Sequence, residues 1–189
     1  YPTKFNGGLF TFDPIFAGKS PWSDQELRYT PDYRLWGGGS HTSQNQRLMY
    51  WPMLKSGDFD MLPQTFEFFN RLLETASLRA KFYFNVDGAV YPEQIGIYGL
   101  CPTCDHGWGN TTGLPVPQIK YHFSTALEIG VMLIEYAAYT GRDIAAYIDF
   151  LDGIVKFYDG FYPLNDPHGK MIMEPGNALE TYHPVRNPI

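Results

Sequence analysis

The stretch HFSTALEIGVMLIEYAAYTGRDIAAYIDFLDGIVKFY, residues 122–158, decides the fold. Its first half, His122 to Tyr139, has only two charges, Glu128 and Glu135, seven apart on one helical face among Phe123, Leu127, Ile129, Val131, Met132, Leu133, Ile134 and Tyr136. A helix this apolar is buried on most sides. Thr140-Gly141-Arg142-Asp143 then supplies a glycine stop and an aspartate cap. The next helix therefore begins almost at once and runs back beside its predecessor. That second helix, Ile144 to about Tyr158, confines Asp149, Asp152, Lys156 and Asp159 to one stripe and is half-exposed. One buried helix paired with one half-exposed helix predicts a double layer, an inner wall backed by an outer one.

Upstream the pattern is again helical. Gln44 to Lys55 reads as a short helix that Pro52 should bend or end by removing an N–H. Ser56-Gly57-Asp58 stops it, and Asp58 or Asp60 stands where it can cap a following helix near Pro63. That helix, Leu62 to about Phe82, is amphipathic, with Glu67, Arg71 and Glu74 opposite Phe66, Phe69, Leu72, Leu73 and Ala76. Strand signals are few and short, so the expected class is all-α with long ordered loops. A closed ring of six hairpins, at ~18 residues per helix, needs on the order of 300 residues or more. If the double layer belongs to such a toroid, the 189 residues here hold only part of it.

Two segments lack this periodicity. Residues 1 to about 40 carry turn formers at nearly every step, among them Asn6-Gly7-Gly8, Asp13-Pro14 and Gly37-Gly38-Gly39, yet Phe5, Phe10, Phe12, Phe16 and Trp22 are too apolar for a free linker. They are expected to form an irregular lead-in packed on residues 41–189. Asn85 to Lys120 is longer than most connections in compact domains, and its apolar content, Val90, Tyr91, Ile95 and Trp108 included, predicts an ordered loop roofing a site. The chain opens at Tyr1 without an initiator Met or a signal segment, which reads as a fragment or processed piece.

Composition narrows the function. The net charge is −6 with no basic cluster, which leaves nothing to neutralise a nucleic-acid backbone or to seek an anionic membrane. No uninterrupted apolar run approaches the roughly 20 residues that cross a bilayer. Aromatics are abundant, with 14 Phe, 14 Tyr and 4 Trp. They serve either core packing or a cleft in which ring faces meet the C–H faces of sugars.

Several residues carry possible chemistry. Glu174 and Glu180, six apart in a turn-rich segment, are either an acid/base pair of the kind glycosidic cleavage needs or ordinary solvated or capping carboxylates. Amides precede aromatics in Ser43-Gln44-Asn45-Gln46-Arg47-Leu48-Met49-Tyr50-Trp51-Pro52, suited to holding a water or a sugar hydroxyl, or to capping a helix. Tyr91-Pro92-Glu93-Gln94 sets an acid beside a ring in the long loop. Cys101 and Cys104 are the only cysteines, too few for a closed zinc site unless Asp105 and His106 complete it. A local disulfide, two idle thiols, a metal site and a redox pair all stay open.

Three of these stretches, Asn45 to Pro52, the hairpin from His122 to Tyr158, and Asn177-Ala178-Leu179-Glu180-Thr181, resemble the (α/α)6-barrel glycoside hydrolases related to inverting α-L-fucosidases. The resemblance extends over most of the chain, and is nearest to a fucosidase-like subgroup of carbohydrate-degrading bacteria. Gln46 to Asp58 and Ala89-Val90-Tyr91-Pro92-Glu93 are typical of that subgroup. It implies that residues 41–189 are the N-terminal part of a truncated catalytic toroid. Glu180 falls at the place of the family's general acid, with Glu174 as fallback, and Asn45 at the second member of an Asn-x-Asn pair that orients the attacking water. Ser43 stands where the first Asn of that pair is expected, a departure that bears on fucose specificity.

On this resemblance the general-base Asp belongs beyond Ile189, and the rest of the polypeptide is needed to close the barrel. Glu93, Trp51, Trp108 and Tyr91 are expected to touch the sugar. The partner is an oligosaccharide or polysaccharide, with no nucleic acid or membrane, no metal or organic cofactor is called for, and the expected location is periplasmic or extracellular. Two other functions fit the same scaffold: a non-catalytic glycan-binding protein, and a lyase that eliminates across uronic-acid linkages.

Overall fold

The computed structural model describes residues 47–96, 98–100 and 121–177, together with the backbone of short strands at 18–19, 26–27 and 40–41. The described part is all-α in class. Its strands, each two residues long, are β1 (Gly18–Lys19), β2 (Glu26–Leu27), β3 (Ser40–His41) and β4 (Gln94–Ile95). β1 pairs antiparallel with β2, and β3 with β4, with Ser40 opposite Ile95 and His41 opposite Gln94.

Helix α1 spans Arg47–Ser56 and keeps Pro52 inside it, where the sequence predicted a bend or an end. Tyr50 and Leu54, on the turns either side, are both buried, and their burial, worth about 1.5–3 kcal/mol each, offsets the ~3 kcal/mol cost of an interior proline. The helix stops where expected. Gly57 takes a left-handed φ of 83°, and its N–H and that of Asp58 both donate to the Met53 carbonyl.

The predicted helix from Leu62 to Phe82 is divided. Helix α2 spans Pro63–Arg71 and α3 spans Leu73–Arg79, followed by a π turn at Ala80–Phe84. The break falls at Leu72, whose N–H bonds back to Phe69 O in a tighter turn. The tightening rephases the apolar face, so that Phe66 and Phe69 before it and Leu72 and Ala76 after it all enter one core. Neither Asp58 nor Asp60 caps α2. Leu62 holds the cap position with no side-chain bond, because Asp58 accepts from Ser56 Oγ and Asp60 from Arg142.

The decisive hairpin forms as α4 (Ser124–Thr140) and α5 (Ile148–Phe161), joined by a left-handed Gly141 and a single turn of tighter helix at Ala145–Tyr147. Asp143 Oδ1 accepts the Ala145 N–H at 2.8 Å, so the aspartate cap serves this turn, and α5 itself starts four residues later than expected. Gly130 lets the helices close up: a Cβ there would stand 3.1 Å from a Leu151 methyl. Thr125, Ile129, Met132, Leu133 and Tyr136 of α4 are buried. Its outer flank is open, however, with Val131 and Ile134 at 48% and 54% exposure, so α4 is less enclosed than its composition predicts. Along α5 the charged stripe is exposed as expected, and Lys156 bridges Asp152 at 2.5 Å.

A second, aromatic cluster locks the start of α4. Phe123 lies 4.9 Å from Phe157 and 5.2 Å from Phe161 between ring centroids, both edge-on, with Phe84 packed against all three. Most rings among the described residues thus serve packing. The connection from Val86 to Pro92 crosses α5 at Gly88, where Ala89 N–H donates to Gly153 O at 2.7 Å. At Gly88 φ is 106°, and a Cβ would meet Phe157 N at 2.2 Å.

Candidate functional site

The polar residues gather at the N-terminal end of α4. The route is set by the Gly88 crossing, and then by Tyr91, whose ring packs on Phe69 and Phe150 while its hydroxyl donates to Phe69 O at 3.0 Å. Two residues on, Glu93 turns inward and is 2% exposed. Its Oε2 accepts a hydrogen bond from Thr125 Oγ1 at 3.1 Å and lies 3.3 Å from His122 Nε2. His122, held between Tyr121 and Phe123 of the aromatic cluster, is 9% exposed. The exposed Ser124 brings its hydroxyl to 3.0 Å from the same Nε2. A carboxylate is thus kept in the interior by hydroxyl and imidazole groups, the condition for burying such a group at tolerable cost.

Three further connections end at this place. Trp51 Nε1 donates to Glu128 Oε1 at 2.9 Å, one helical turn beyond Thr125, tying α1 to α4. The β3–β4 pair brings His41 opposite Gln94, the residue after Glu93. Asn177 Oδ1 accepts the Tyr121 N–H at 2.7 Å, and Asn177 N–H returns a bond to Tyr121 O at 3.2 Å. The segment before it is held by Tyr162, whose hydroxyl donates to Pro175 O at 2.7 Å. Burial, helped by the nearby Tyr121, pushes that hydroxyl up to about 12.

The order Glu93–His122–Ser124 suggests a nucleophilic triad, but the geometry does not make one. Both the carboxylate and the serine hydroxyl face Nε2. A nitrogen that donates its proton to Glu93 cannot take the proton of Ser124, and a working triad needs the two on opposite ring nitrogens. The arrangement is suited instead to holding His122 and the first turn of α4 in a fixed orientation. Among the described residues no group of three or more His, Cys, Asp or Glu side chains is placed to hold a metal ion, and no helix is long and apolar enough to cross a membrane.

No family model, curated protein or solved structure matches this chain.

Of the residues singled out from sequence, Glu93 and Trp51 meet at α4 through Thr125 and Glu128. Tyr91 does not offer a face to a sugar: it is 1% exposed, and burial holds its phenol far above the usual range. Its side chain is a core anchor for Glu93, because Phe69 and Phe150 leave an apolar slot that a ring fills. Glu93 likewise has no open face and works from behind His122. Glu174 is exposed on the irregular segment leading back to Tyr121. Asn45, Glu180, Trp108, Cys101 and Cys104 lie outside the described residues, as does most of the lead-in. His122, Ser124, Thr125 and Glu128 were not singled out as site residues. The available signal was a run of polar groups at the mouth of the most apolar helix, although the distant Glu93 that gives it meaning is brought there only by tertiary folding.

Proposed function

We propose that this chain carries one half of the active site of an inverting glycoside hydrolase, built on part of an (α/α)6 toroid and acting on a terminal α-L-fucoside-like bond. The observation that supports this reading is convergence: Trp51, Glu93 and Asn177, from three stretches far apart in sequence, are each bonded at or just ahead of the N-terminal end of α4. The open apolar flank of α4 at Val131 and Ile134, and the exposed Ile148 and Val155 of α5, are the kind of side chains a neighbouring hairpin of a ring covers.

In this mechanism Glu180 delivers its proton to the glycosidic oxygen as the C1–O bond to the leaving group breaks. A water oriented by Asn45 attacks C1 from the opposite face and gives its proton to an aspartate supplied by later chain. The acid and base then stand roughly 6.5–9.5 Å apart, with the water between.

Glu180→Gln tests it. With an α-L-fucosyl disaccharide, hydrolysis should fall by about 10²–10⁴-fold, the contribution of general acid catalysis. An aryl fucoside, whose leaving group needs little protonation, should lose far less. The released sugar should first appear as the opposite anomer by NMR. Equal disaccharide rates in variant and parent exclude Glu180 as the acid, and an unsaturated product absorbing in the ultraviolet replaces hydrolysis with elimination.

A further inference from the structure

We infer that the groove between α3 and α5 is a docking surface for a basic amphipathic helix of another protein, one that carries lysine or arginine along one side and leucine-type residues along the other. The groove is a cleft of about 810 Å³ walled by α3, by the connection through Val86 and Gly88, and by α5. Glu93 and His122 take no part in it, so the inference stands apart from the hydrolase reading.

Two features of the walls select the occupant. The first is apolar surface: Leu73, Leu78 and Val86 face the cleft, whose lining is mostly apolar. Leu78 is 51% exposed, and Phe82, four residues further along, is 80% exposed, more than any other large apolar side chain among the described residues. Side chains so placed leave water only when something apolar covers them. The second feature is charge. Five exposed carboxylates, Glu74, Asp87, Asp149, Asp152 and Asp159, stand against the two ammoniums of Lys81 and Lys156, a net charge of −3 on the lining. Both lysines are already engaged, Lys156 with Asp152 at 2.5 Å and Lys81 with Asp87 at 3.5 Å. Glu74, Asp149 and Asp159 have no ion pair among the described residues, so their charge is not neutralised from within the groove. The carboxylates of both walls act on the same space: the Lys156 ammonium is held above its usual range first by Asp152, and further by the charges of Asp149 on α5 and Asp87 on the connection.

An occupant that meets both features needs cationic heads on apolar stems, which is the build of Lys and Arg side chains, and apolar anchors to cover Leu78 and Phe82. Asp149 and Asp159 are ten residues apart on α5, about 15 Å along its axis, so a helix of about three turns spans the acidic row. An amphipathic helix laid into a groove is a recurrent mode of recognition. A second copy of this chain is a poor occupant, because two molecules of net charge −6 repel.

The test uses the full-length protein and a fluorescent peptide of leucine and lysine, patterned as an amphipathic helix of about three turns, with a second peptide in which glutamate replaces lysine. By fluorescence anisotropy the lysine peptide should bind saturably and more weakly as salt is raised, and the glutamate peptide should not bind. Asp149→Asn with Asp159→Asn should weaken binding by about tenfold, and Leu78→Ser with Phe82→Ser by about tenfold or more. Glu67→Gln with Glu135→Gln removes the same charge outside the groove and should change binding by less than about twofold. If the serine pair fails to fold, the asparagine pair decides. Absence of saturable binding to the parent overturns the inference. So does equal weakening by the groove pair and the distant pair, which would reduce the attraction to overall charge. A parent that self-associates in sedimentation equilibrium, and separates on Leu78→Ser with Phe82→Ser, would assign the groove to a second copy and overturn the inference as well.

Discussion

Replacing Glu93 by Met and His122 by Phe, singly and together, measures what holds the floor of the candidate site. The two groups are 3.3 Å apart and exposed by only 2% and 9%. At that separation, with an effective permittivity near 20, unit charges would attract by about 5 kcal/mol. Desolvation of both groups offsets most of that. A net coupling of about 1–3 kcal/mol remains, the lower end for a neutral imidazole donor and the upper for an imidazolium. Each single replacement removes one partner of a buried polar group, Glu93 keeping Thr125 and His122 keeping Ser124, and should cost about 1–3 kcal/mol. The double replacement, apolar on both sides, should cost less than the sum by the coupling. Urea denaturation followed by circular dichroism gives all four corners of the cycle at one pH. Additivity within about 0.5 kcal/mol, as for sites that do not touch, would refute the idea that these groups act as a unit.

Two other expectations concern stability. Gly88→Ala forces a side chain into a left-handed backbone and onto Phe157 N and Gly153 O, so it should destabilise by more than about 3 kcal/mol; a melting temperature within a degree or two of the parent would contradict the crossing described here. Alkaline pH should unfold the protein early. The Tyr162 hydroxyl is raised from 10.0 to about 12, and burial raises Tyr158 and Tyr91 as well. The unfolded chain therefore ionises first, and the stability that Tyr162 confers is complete below pH 10 and lost as pH climbs through about 12, with that of the more strongly raised Tyr158 and Tyr91 lost at still higher pH. The melting temperature should fall across that window, more gently in Tyr162→Phe, and a flat profile would count against it.

The hairpin of α4 and α5 was legible because its signals are local. Gly141 and Asp143 act within a few residues of themselves, and the alternation of apolar and charged stripes follows the helical period. The division at Leu72 was hidden, since its cause is the combined demand of Phe69, Leu72 and Ala76 for one core rather than any breaker residue. Pro52 misled in the opposite direction, because a rule about one lost hydrogen bond says nothing of the tertiary burial that outweighs it. At the site, a carboxylate and an indole could be picked out by type. The burial of Glu93, which the sequence reading expected to touch the sugar, and its pairing with His122 and Thr125 depend on a contact across about thirty residues, which no periodicity encodes.

The crossing at Gly88 also has a use outside this molecule. A backbone hydrogen at that point is a geometric necessity, and the chain needs five further residues to carry Glu93 from there to its place under His122. Any sequence sharing this architecture should therefore keep a glycine five positions ahead of an acid, followed later by a histidine three ahead of a hydroxyl residue. That spacing offers a signature for finding kin whose overall similarity has drifted too far to register.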